Sequence, residues 1–191
     1  MPASTPYQRK LATIAQQQFD KYHLLRENQE PLASQIASYW TGIGLPFPGV
    51  DIAWSAVFVS WCVMKAGATS AQFKFAAAHS QFVFQAIANA TANTGVFRGR
   101  NPAAYAPKVG DILQNNRAGN SFDFAFAKTH KSYVSHSAVV MEVGSDTQGQ
   151  YLRTIGGNES DSVGLKEVRL SQAGKVINTN GLFIAVIETL L

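Results

Sequence analysis

Residues 52–67 read IAWSAVFVSWCVMKAG, and this stretch decides the first half of the fold. Val57, Trp61 and Met64 recur at helical spacing, which predicts a helix with one strongly apolar face. Gly67 supplies the left-handed residue that ends it. The preceding GIGLPFPGVD (42–51) is a Gly/Pro loop that offers Asp51 as an N-cap. Ser55 falls in the first turn, where unpaired N–H groups and the macrodipole favour a developing negative charge. A serine there also serves as a plain cap, so local sequence leaves both roles open. Cys62, the only cysteine, lies mid-helix between Trp61 and Val63. It gains nothing from the helix N-terminus and reads as an inert core residue.

Outward from this helix, the first half of the chain is helical. Leu11, Ile14, Ala15, Phe19 and Tyr22 set a helix over 7–25, and Ile36, Tyr39 and Trp40 set another over 31–41. A further helix is expected over about 76–92. Beyond it the pattern changes to short β-rich segments bounded by Gly, Asn and Asp: 110–114, 135–143, 150–156, 163–169 and 182–189. Helices followed by an antiparallel sheet predict the α+β class. The expectation is one domain over 1–191, with a helical part over about 1–95 and a sheet part over about 105–191.

Composition sets the outer limits. Hydrophobic residues make up 46% of the 191 and charged residues 15%, a globular balance. No apolar run of about 18 residues is present, so no membrane span is expected. The opening MPASTPYQRKLATIAQQQFDKY lacks an apolar core and a small-residue cleavage site, and does not read as a Sec signal. One cysteine excludes an internal disulfide and a cysteine-based zinc site. The net charge of +4 suits an anionic partner such as cell-wall polymer. The basic residues are scattered, Arg98 and Arg100 or Lys128 and Lys131 being the nearest to a cluster, so no nucleic-acid partner is expected.

The four histidines differ in setting. His23 sits in a polar patch, and His130 in the polar loop KTHKS. His136 opens the strand SHSAVVMEV, at a strand end rather than within the core. If GSDTQGQ (144–150) turns near residue 147, the returning strand brings His136 opposite Gly157, beside Asn158. An amide that orients an imidazole facing a hydroxyl at a helix N-terminus is the nucleophile–base–orienter logic of acyl transfer. His79 reads as a core-edge histidine or an accessory site residue. Asp111 and Asp161 are the acids available to assist His136, and spacing does not choose between them.

Several motifs, in order, carry a resemblance. Ser55-Ala56-Val57-Phe58-Val59-Ser60-Trp61-Cys62, then Ala66-Gly67, resembles the nucleophile helix of the papain-like cell-wall hydrolases, the NlpC-type peptidases and CHAP amidases. Val109-Gly110-Asp111-Ile112-Leu113 is similar to the strand that follows in those families, and Ser135-His136-Ser137-Ala138-Val139-Val140 to their histidine strand. Gly156-Gly157-Asn158-Glu159-Ser160-Asp161-Ser162-Val163 is similar to a segment of some endolysin relatives. The family nucleophile is cysteine, whereas this chain has Ser55. A bacterial branch with W-S-A-A-F-I-S-W and a later H-S-x-Y carries serine there as its own pattern, and Trp54-Ser55-Ala56 and His79-Ser80-Gln81-Phe82 resemble it.

The resemblance implies a papain-like α+β fold and hydrolysis of peptidoglycan amide bonds, as an amidase or endopeptidase. Ser55 would be the nucleophile, His136 the base and Asn158 the orienter, with no cofactor and no metal. Serine must lose its proton during attack, so His136 would act as a general base in the transition state. A wall enzyme without a Sec signal implies another export route, through a phage holin or a contractile secretion system, and action at the periplasm or wall. In the second case an immunity protein would be a partner. A catalytically inactive wall-binding module and a serine esterase or acyltransferase are the alternatives on the same scaffold.

Overall fold

A computed structural model describes residues 4–191. Four helices come first: α1 (Pro6–Tyr22), α2 (Leu32–Gly42), α3 (Ser55–Ala66) and α4 (His79–Thr91). Strands β1 (Phe97–Arg100) and β2 (Ile112–Asn116), the short helix α5 (Phe124–Thr129) and strands β3 (Ser135–Asp146), β4 (Gly149–Gly156), β5 (Gly164–Arg169) and β6 (Phe183–Thr189) complete the chain. The strands form a six-stranded sheet in the order β1-β6-β2-β3-β4-β5, antiparallel throughout. The class is α+β. Among the described residues no helix is long and apolar enough to cross a membrane.

Local chemistry explains the helix ends. Thr5 caps α1 by accepting from the Gln8 N–H, while the Gln8 side chain accepts from the Thr5 N–H at 2.8 Å, and Pro6 occupies the first helical position. Helix α3 ends on Gly67 at φ 119°, as its sequence demands. Its start differs from expectation. Trp54, not Asp51, is the N-cap residue, and no side chain caps the helix.

Helix α3 is the centre of the core. Val57, Phe58, Val59, Cys62 and Val63 are fully buried, because α1, α2 and the sheet enclose it on several sides. Tyr39 of α2 meets Trp54, Phe58 and Trp61 with ring centroids 5.2–5.9 Å apart, aromatic contacts that lock α2 to the start of α3. The end of β4 approaches so closely that a Cβ on Gly157 would lie 2.5 Å from Trp54 Cζ3 and 2.6 Å from Phe58 Cβ. A second apolar cluster, with Leu113, Val140, Leu152, Leu170, Val176, Phe183 and Val186, lies apart from this helical core.

The helices and strands anticipated from periodicity are present within a few residues of their expected ends. Two elements were not anticipated. Strand β1 is four residues, FRGR, too short to show alternation, and it lies in the segment expected to divide helices from sheet. Helix α5, six residues capped by Asp123, falls inside the sheet half. His130 follows it, its ring stacked 3.7 Å over Phe126.

Candidate functional site

Ser55 is the first residue of α3, and the first backbone bond there runs from the Phe58 N–H to the Trp54 carbonyl at 3.0 Å. The amides of Ser55, Ala56 and Val57 therefore precede the helical ladder. The Ser55 hydroxyl does not cap them. Its Oγ lies 2.7 Å from Nε2 of His79, the first residue of α4, whose start also lacks a side-chain cap. Two helix N-termini thus meet through one hydroxyl–imidazole contact. Both residues are buried, Ser55 at 3% exposure and His79 at 5%.

Burial above all, then His136 and then Arg117, hold the His79 pKa well below the ordinary histidine value. The ring is neutral at physiological pH and can accept a proton at Nε2 when Nδ1 carries the hydrogen. Its Nδ1 is buried and has no hydrogen-bond partner among the described residues. This dyad therefore lacks the third group that fixes an imidazole in Ser-His-Asp sites.

His136 stands behind His79, their ring centroids 5.4 Å apart. Its Nε2 is 2.7 Å from Glu159 Oε1, off the ring N–H direction, and Glu159 Oε2 is 2.5 Å from Lys166 Nζ. Burial alone would raise the Glu159 carboxyl, but His136 and Lys166 bring it down to about 2. Ser55, His79, His136 and Glu159 thus form one series running from α3 towards β5.

The expected assignments need correction here. Ser55 meets His79 rather than His136, so the residue given an accessory place is the direct partner. Asn158 does not orient His136. Its Nδ2 donates to Glu27 Oε2 at 2.9 Å, and Trp54 Nε1 donates to the same oxygen at 2.9 Å. Glu159, not singled out in the sequence, is the group at His136. The reason is backbone conformation: Asn158 has φ 56°, so side-chain alternation along β4 does not continue past Gly157. Neither aspartate assists His136. Asp111 accepts from the Thr189 and Lys108 N–H groups and from the Tyr105 hydroxyl, each at 2.9 Å. Asp111, the residue before β2, is four residues from Asn115, the partner of His136, a separation of about 13 Å at the usual strand rise. Burial lifts its carboxyl to about 7 despite those hydrogen bonds. Asp161 is exposed and 3.9 Å from Arg26. Cys62 is fully buried in the core, which pushes its thiol pKa up and makes it unreactive.

The Ser55–His79 contact opens into a cleft of about 440 Å³. Ser80, Arg117, Tyr133 and Ser135 also line it, and no aspartate or glutamate does. Gln114 Nε2 donates to Tyr133 Oη at 3.1 Å and to Ser135 Oγ at 2.9 Å, which steadies that wall. Among the described residues no group of three or more His, Cys, Asp or Glu gathers in a way that could hold a metal ion.

The chain matches the model of a bacterial family described as "Uncharacterized protein conserved in bacteria (DUF2272)" over residues 10–186, and it belongs to that family. No curated protein and no solved structure matches it.

Proposed function

We propose that this DUF2272 protein is a serine hydrolase of papain-like arrangement that cleaves amide bonds of peptidoglycan. The observation that carries the reading is the 2.7 Å contact between Ser55 Oγ and His79 Nε2 at the uncapped start of α3. Ser55 Oγ attacks the substrate carbonyl carbon as its proton passes to His79 Nε2. Charge develops on the carbonyl oxygen beside the free amides of the α3 first turn, which stabilise it. The tetrahedral species collapses, the leaving amine takes the proton from His79, and an acyl-Ser55 ester remains. Water then attacks that ester with His79 again accepting a proton; the acyl C–Oγ bond breaks, the acid product leaves, and the proton returns from His79 to Ser55 Oγ. Behind His79, His136 disfavours the imidazolium, and the Glu159 carboxylate that pairs with His136 is the nearest negative charge in the series. The net charge of +4 favours an anionic wall, and delivery by a non-Sec route would make an immunity protein the natural partner.

The partnerless His79 Nδ1 favours a second reading, a wall-binding module whose site no longer turns over. Purified sacculi digested with the protein, with mass spectrometry of the released fragments, separate the two. The hydrolase releases stem-peptide fragments, and Ser55→Ala and His79→Ala each reduce release by about a thousandfold or more. Saturable binding with no release supports the module. Full release by Ser55→Ala defeats the proposed nucleophile.

A further inference from the structure

We infer that the Ser55–His79 cleft takes an acyl substrate bearing a free carboxylate, which Arg117 binds while the reacting carbonyl lies against Ser55. The inference rests on the hydrolase reading for its second half and on the cleft alone for its first. Arg117 is exposed, lines the cleft, and makes no side-chain hydrogen bond or ion pair among the described residues. The other arginines are all engaged. Arg100, Arg153 and Arg169 bind carboxylates, Arg26 the Ser160 carbonyl, Arg98 the Asn93 side chain, and Arg9 the Ser4 carbonyl.

The surroundings of Arg117 have the same sign. Helices α3 and α4, of 12 and 13 residues, present N-termini without side-chain caps at this cleft, so the positive ends of both dipoles meet there. No lining residue is acidic. Two buried polar atoms beside it, Ser80 Oγ and His79 Nδ1, lack partners among the described residues. A buried polar atom without a partner is costly in a finished protein, and a bound group with acceptor oxygens would supply what Ser80 lacks. A carboxylate suits this set: it is planar, takes two parallel N–H bonds from a guanidinium, and accepts from hydroxyl and amide donors. In a wall substrate such a group is the free carboxyl terminus of a stem peptide.

The test is binding, measured by isothermal titration at fixed ionic strength. The probes are N-acetyl-D-alanyl-D-alanine and its C-terminal carboxamide, against the native protein and the Ser55→Ala variant, which cannot turn either over by the proposed route. The acid should bind at least tenfold more tightly than the amide. Arg117→Gln should abolish that preference, and its side chain is exposed, so the fold survives the change. Inorganic phosphate should not displace the acid at matched ionic strength. Equal binding of acid and amide, no binding of either, a preference that survives Arg117→Gln, or displacement by phosphate each overturns the inference. Preferential binding of the acid without any attack on sacculi would leave the carboxylate site standing and remove the hydrolase reading. Cleavage of sacculi without the preference would do the reverse.

Discussion

Glu27 is the residue whose removal should be felt furthest from its own position. One of its oxygens, Oε2, accepts from Trp54 Nε1 and from Asn158 Nδ2, both at 2.9 Å, and Trp54 is fully buried. It therefore joins the connection after α1, the start of α3 and the loop after β4. Glu27→Ala deletes both bonds and leaves two buried donors unpaired. Bonds to a charged group contribute about 1.5–3 kcal/mol each, and because Glu27 is only partly buried the lower end applies, giving about 3 kcal/mol for the pair. Glu27→Gln retains an acceptor oxygen in place and should cost about 1 kcal/mol. Urea unfolding followed by tryptophan fluorescence measures both. With a slope of about 2 kcal/mol/M, Glu27→Ala lowers the midpoint by about 1.5 M and Glu27→Gln by about 0.5 M. Superimposable curves for Glu27→Ala and the native protein would show that these two bonds contribute nothing to stability. Equal losses for Ala and Gln would show the same, because the Oε2 oxygen and not the side chain's bulk makes both bonds.

Gly157→Ala should destabilise by about 1–3 kcal/mol through overpacking, since the new methyl meets Trp54 and Phe58 inside contact distance, and thermal unfolding reports it. The native state holds His79 neutral, so its contribution to stability is complete above pH 6.5 and declines as pH falls from there towards its lower folded pKa. Urea titrations should show the native protein losing about 1 kcal/mol more than His79→Gln between pH 7.5 and 5.5. Asp111, raised to about 7, acts in the opposite direction in both proteins and cancels from the comparison. Cys62→Ala should leave any wall hydrolysis within a few-fold and cost on the order of 1 kcal/mol in packing, and a large activity loss in the folded variant would move the chemistry away from Ser55.

Helix α3 was legible in the sequence because an apolar run meets an obligatory terminator, Gly67. The strands from β2 to β6 were legible because their β-rich segments end in turn residues. Strand β1 was not, because FRGR carries too few residues for a period to register. The position of Ser55 was readable, but its partner was not. Helix α4 begins without a capping side chain, so nothing local marks His79 as its first residue. The contact also spans 24 positions across the irregular segment between α3 and α4. The exchange of Asn158 for Glu159 has a different cause. Strand alternation predicts side-chain direction only while the backbone stays extended, and Asn158, Ser160 and Asp161 all have positive φ.

The strand order carries a consequence for how the protein is made. Strand β6 lies between β1 and β2, so β1 has no hydrogen-bonding partner in the sheet until Phe183–Thr189 arrive. The Thr189 N–H also donates to buried Asp111. A ribosome adding about 5–20 residues per second therefore holds back closure of this sheet for several seconds after β1 emerges. Helices α1 to α4 can associate during that interval, while β1 and one edge of β2 wait unpaired. A nascent chain stalled before β6 exits should expose both edges to chaperones or to neighbouring chains. Release of the last strand should then complete the sheet in one cooperative step.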